Sequence, residues 1–124
     1  MAAVAAQQGI ESDLIPAIAT AFCSGLSETN GPCGALTGAV MALSMGGGRT
    51  SVQDGREALY AKTKLLVAAF EIKFGAKNCT GLLQFQLGTP EASADYRARG
   101  LNRQCEGYVR EAARLAVELL QEGG

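Results

Sequence analysis

The sequence predicts an all-α fold, a compact single-domain bundle of about five or six helices. Three observations carry this expectation. Alanine and leucine are abundant, no run alternates apolar and polar residues over a strand length, and helix-start and helix-stop residues recur throughout. The chain has 124 residues, nearly half of them apolar. That is enough for one core and too little for two, so residues 1–124 read as one domain.

The chain opens in helix-forming residues that stop near Gly9. Ser12 can cap a second helix over DLIPAIATAF, with Asp13 in its first turn and Pro16 tolerated near its start. SGLSETNGP is then a loop that turns at Asn30-Gly31. Pro32 suits the opening of a third helix, where its missing N–H would have no partner in any case. That helix runs towards Met45 and stops at Gly46-Gly47-Gly48.

Ser51 caps a long fourth helix ending at Phe74, with Asp54 three residues on and Gly75 at the exit. Leu59, Leu66, Phe70 and Phe74 share its apolar face. Asn78 caps a short helix starting at Cys79, and Thr89-Pro90-Glu91 opens another. The last helix carries Val109, Ala112, Ala116 and Leu119 on one face and ends at Gly123. Within the third helix, Gly34, Gly38 and Ala42 stand at four-residue steps. Packing of a neighbouring helix is the preferred reading. Gly34 and Gly38 are also the candidates for close backbone approach to a cofactor.

Composition removes several functions. A formal net charge of −1 leaves no electrostatic footprint for nucleic acid. The longest apolar stretch, Ala35 to Met45, is too short to insert in a membrane. MAAVAAQQ has no basic residue and no cleavage pattern, so a cytoplasmic location is expected. Without histidine there is no Ser-His or Cys-His pair, no His-ligated zinc and no proximal-His haem. GGGR at 46–49 lacks the Lys-Ser/Thr of a P-loop and reads as a helix stop with Arg49 beside it. Glu57, Glu71, Glu91, Glu106, Glu111 and Glu118 lie on helices near Lys or Arg and read as solvated faces.

Chemistry therefore falls to the four cysteines. Cys33, after Pro32, stands in the first turn of a helix, where free N–H groups and the helix dipole favour a thiolate. Cys79 stands similarly after Asn78. Cys105 precedes Val109, Ala112, Ala116 and Leu119 by helical steps and points inward. Cys23, at the end of a short helix, is the least committed. Set against this, unpaired cysteines often do nothing but pack.

CGALTGAVMALSMGGGR, FEIKFGAKNCTGLL and CEGYVREAARLAVELL together resemble the small redox-active proteins named for their cysteine pattern, C…GCAxxG…C…C. The CGAxxG core matches at Cys33, Gly34, Ala35 and Gly38. The second segment matches at Phe74, Gly75, Asn78, Cys79, Leu82 and Leu83, and the last cysteine at Cys105. The resemblance spans essentially the whole chain. It implies a helical protein that is redox-active or binds a cofactor through cysteine. Because members often lie near transporter genes, it also implies association with a transporter or redox system.

One departure concerns the family's first cysteine, which lies in an NCA-like segment opening the first helix. Cys23 instead stands where related sequences often carry glycine. Either Met1 falls inside a longer first helix, with an Asn-Cys pair encoded upstream, or this member dispenses with one thiol.

Cys33, Cys79 and Cys105 are thus the expected redox set. They serve by disulfide exchange, with Cys79 or Cys33 coupling to Cys105, or as ligands to an iron–sulfur cluster or soft metal, with Cys23 as a less favoured fourth. The rival from another class is a non-catalytic packing module with reduced core cysteines, dimerising through small-residue helix faces.

Overall fold

Alanine-rich segments with few β-branched residues bury themselves here as helices around one central helix. The computed structural model describes residues 1–48, 51 and 53–122. Its elements are α1 (Ala2–Gln7), a 3₁₀ helix (Ala17–Phe22), α2 (Cys23–Glu28), α3 (Gly34–Gly47), α4 (Glu57–Phe74), α5 (Cys79–Leu83), α6 (Pro90–Ala98) and α7 (Leu101–Glu122). Among the described residues there is no strand, and the sole β-type pairing is an isolated bridge between Pro32 and Asn78. The fold is all-α.

α3 forms the centre, packed most extensively on α7 and then on α4, with α1 across its first turns. Leu36, Ala39, Ala42 and Leu43 of α3 meet Leu66 and Phe70 of α4 and Tyr108, Ala112 and Ala116 of α7 in the core. Small residues on α3 let α7 come close, and larger rings fill the space beside them. Phe70, Phe74 and Tyr108 stack edge to face, with Phe74 at 4.9 and 4.8 Å from the other two. The Tyr108 hydroxyl donates to the Leu82 carbonyl at 3.1 Å, which ties the end of α5 to α7.

Several local expectations hold. Asn78 accepts from the Gly81 N–H at 2.7 Å, Thr89 accepts from the Ala92 N–H at 3.0 Å, and Gly75 closes α4 with φ of 83°. Leu66 and Phe70 are fully buried.

Others are corrected. The helix expected over DLIPAIATAF becomes a turn followed by the 3₁₀ helix, in which no residue is buried. Pro16 removes a donor and crowds the preceding turn, and nothing packs on this segment strongly enough to offset that. α4 begins at Glu57, not after Ser51: Ser51 and Asp54 instead bond each other's turn, and Gly55 intervenes. Val109 is 53% exposed, because the buried face of α7 runs through Tyr108, Ala112, Ala116 and Leu119. Arg49, and the helix stop at Gly123, lie outside the described residues.

SGLSETNGP, read as a loop, contains a left-handed helical turn. Ser24, Gly25, Leu26, Ser27 and Glu28 all have φ between 53° and 71°. For four of these five the conformation costs about 1 kcal/mol or more each, since only glycine adopts it freely. The strained turn lies between Cys23 and Cys33.

Candidate functional site

The site is assembled by pairing two helix starts. The Pro32–Asn78 bridge sets the residue before Cys33 against the residue before Cys79. The Cys33 N–H donates to the Lys77 carbonyl at 2.7 Å and fixes the register. Cys33 is therefore the N-cap of α3, with extended backbone (φ −59°, ψ 133°), and not a residue of its first turn. Pro32 serves the bridge instead of opening the helix. Cys79 is the first residue of α5 and half-buried, while Cys33 is 6% exposed.

This geometry separates two chemically identical groups. The neighbouring Cys79 thiol, against the opposing effect of burial, holds Cys33 down at about 6, well below an ordinary thiol. The Ala35 and Leu36 backbone N–H groups face the same sulfur and act in the same direction. Cys79 is pushed up, by the neighbouring Cys33 sulfur, by burial and by the negative charge beside it. The reduced pair thus favours one thiolate, on Cys33, and one thiol, on Cys79.

The chain belongs to the C_GCAxxG_C_C family. The model of that family, described as "Putative redox-active protein (C_GCAxxG_C_C)", matches residues 1–119. No curated protein and no solved structure matches the chain. In this C_GCAxxG_C_C protein the three cysteines that match the pattern, Cys33, Cys79 and Cys105, line one cavity of about 610 Å³, together with Cys23.

Cys105 and Cys23 occupy different parts of that wall. Cys105, half-buried on α7, accepts a hydrogen bond of 3.3 Å from the Tyr96 hydroxyl of α6. Burial first, and then this bond, hold the Tyr96 phenol above its ordinary value. Cys105 is thus engaged by Tyr96, while Cys79 is engaged by Cys33. Cys23 is exposed, and its thiol lies 4.0 Å from the Ala19 carbonyl.

Gly34 and Gly38 both line the cavity and face the N-terminal chain. A Cβ at Gly34 would lie 3.2 Å from Cys23 Cα, and one at Gly38 would lie 3.4 Å from the Met1 nitrogen. Their small size is used in close packing.

Among the described residues, no group of three or more Cys, Asp or Glu is arranged to hold a metal ion. No helix among the described residues is long and apolar enough to cross a membrane.

Sequence reasoning missed Tyr96 and Gly25. Tyr96 sits on a different helix from Cys105, beyond the turn at Gly100, so no helical spacing links the two. Gly25 supports Cys79 from the left-handed turn: a Cβ there would meet the Cys79 sulfur at 3.2 Å and the Gly31 carbonyl at 2.9 Å. A glycine in a loop of unknown handedness gives no such signal.

Proposed function

We propose that this protein is a cytoplasmic thiol redox protein in which Cys33 is the nucleophile and Cys79 the resolving thiol. The observation that carries the reading is the pairing of two helix starts through the Pro32–Asn78 bridge, which brings Cys33 and Cys79 to one cavity wall. The Cys33 thiolate attacks one sulfur of a substrate disulfide, forming a mixed disulfide and releasing the other half as a thiolate. The Cys79 proton passes to that leaving group, and the Cys79 sulfur then attacks Cys33. An internal Cys33–Cys79 disulfide forms and the second half of the substrate leaves as a thiolate. Two electrons pass from the protein to the substrate.

Cys105, held by Tyr96 on the same cavity wall, is the third member of the set. In a second step the Cys105 thiolate would attack the Cys79 sulfur of the Cys33–Cys79 disulfide, releasing the Cys33 thiolate and leaving a Cys79–Cys105 disulfide.

Alkylation of the reduced native protein against pH tests the roles. Cys33 should react first, with a rate that rises through a midpoint near pH 6, and Cys33→Ser should abolish this phase. If Cys33, Cys79 and Cys105 resist the reagent until the chain unfolds, while only exposed Cys23 reacts, the three thiols are packing residues and the redox reading fails.

A further inference from the structure

The cavity wall, and not the thiols alone, decides what the pair can reduce. Resting on the reading of Cys33 as a nucleophile, we infer that the site acts on neutral, apolar disulfides of low molecular weight and excludes protein disulfides and charged ones.

Three observations point there. First, Cys33 is 6% exposed and lines the 610 Å³ cavity. Disulfide exchange needs the attacking sulfur in line with the bond it breaks, so the whole S–S group must enter the cavity. A protein disulfide is fixed between two backbones about 5.5–6 Å apart at their Cα atoms, and both would have to follow it in. A free molecule has no such attachment, and the cavity volume falls in the range that encloses small ligands.

Second, the walls beside the sulfurs are apolar: Val4, Phe22, Ala35, Leu83, Leu87 and Val109 all line the space. Burying an ionised group against them is costly unless a partner compensates it. Third, the charged groups on the lining are Arg97 and the Met1 α-amino group against Glu28 and the Cys33 thiolate, two of each sign. They supply no surplus of either charge to hold a polyanionic or polycationic disulfide. Apolar substituents, by contrast, gain from leaving water in proportion to the area they bury.

The chemistry balances without a further reagent in a single turnover. The Cys33 thiolate and the Cys79 thiol give up one proton and two electrons. The substrate R–S–S–R leaves as one thiol and one thiolate, and the protein is left with the Cys33–Cys79 disulfide.

The test is anaerobic single-turnover reduction of four probes: dipropyl disulfide, hydroxyethyl disulfide, oxidised glutathione and insulin. Each rate is divided by the rate of mercaptoethanol with the same probe, which removes intrinsic leaving-group differences. The expected order places dipropyl disulfide at least about tenfold above oxidised glutathione, with hydroxyethyl disulfide between them and insulin unreactive. Val109→Arg, a change at an exposed rim position, should narrow that ratio by slowing the apolar probe and quickening the anionic one. If the normalised rates are equal, or if insulin is reduced, the selectivity fails while the thiol chemistry stands. If no probe reacts although Cys33 alkylates normally, both the selectivity and the disulfide reaction fail.

Discussion

The Tyr96 hydroxyl donates to the Cys105 sulfur at 3.3 Å, across the corner between α6 and α7. This bond orients the third thiol of the cavity and, after burial, adds to what holds the phenol above its ordinary value. Tyr96→Phe keeps the ring and removes the donor. It should lower stability by roughly 1 kcal/mol, the usual net value of one such bond, and change the alkylation rate of Cys105 while leaving that of Cys33 unaltered. Denaturant unfolding and site-resolved labelling measure the two effects. An equal change at Cys33 would show that Tyr96 acts on the whole fold.

The Cys33–Cys79 pair makes stability depend on pH in a signed way. Cys33 is held at about 6 in the folded protein, against about 8.5 for an unfolded thiol. Its contribution is fully present above the unfolded value and is lost as pH falls through 6. Cys79 is displaced upward. Above about pH 8.5 the unfolded thiol ionises while the folded one keeps its proton, so stability falls there. The reduced protein should therefore gain stability from pH 6 towards 8.5 and lose it beyond. Cys79→Ala should raise the Cys33 midpoint and shrink the gain. Urea unfolding under reducing conditions across that range is the measurement.

The left-handed turn before Cys33 predicts two glycine substitutions of opposite sign. Ser24 is exposed with φ of 54°, so Ser24→Gly should stabilise by about 0.5–1 kcal/mol through relief of that backbone conformation. Gly25→Ala should destabilise by about 2 kcal/mol or more, since the new Cβ meets the Gly31 carbonyl at 2.9 Å and the Cys79 sulfur at 3.2 Å. It should also disturb the Cys33 midpoint, because Cys79 is the group displaced. Thermal melts and the alkylation profile read both effects.

Glu111 predicts acid sensitivity far from the thiols. Its carboxylate lies between Arg114, at 2.6 Å, and Lys73 of α4, at 3.1 Å, and only 12% of the side chain is exposed. Arg114 chiefly holds it down at about 2. The contribution is present above the ordinary carboxylate value and disappears as pH falls through 2. Glu111→Gln should cost roughly 1 kcal/mol at neutral pH, with the difference from wild type vanishing in strong acid.

Much of the fold was legible because its signals are local. Caps at Asn78 and Thr89, the exit at Gly75 and the buried pair Leu66 and Phe70 follow from residue type and spacing alone. The fourth helix start was misplaced because Ser51 and Asp54 satisfy each other in an isolated turn, which resembles a cap in sequence. Glu111 read as a solvated residue because its partner Lys73 lies on another helix. In the site, the three family cysteines were evident, as was the advantage of a helix start for Cys33. Their pairing was not. The Pro32–Asn78 bridge that sets Cys33 beside Cys79 joins residues 46 positions apart, and only the tertiary fold creates it. The same holds for Tyr96, whose bond to Cys105 depends on how α6 turns into α7.

The central claim is that Cys33 and Cys79 form one redox pair inside the folded chain. Its most direct measurement is peptide mapping of native protein equilibrated anaerobically against thiol–disulfide buffers of graded potential, with free thiols trapped by acid and then alkylated. The account predicts a Cys33–Cys79 disulfide as the first species to accumulate, in a monomer that keeps its helical circular dichroism. Any bond to Cys105 should follow it. Cys33 and Cys79 remaining free thiols at every potential that leaves the chain folded would contradict the account, as would their joining only after the helices have melted.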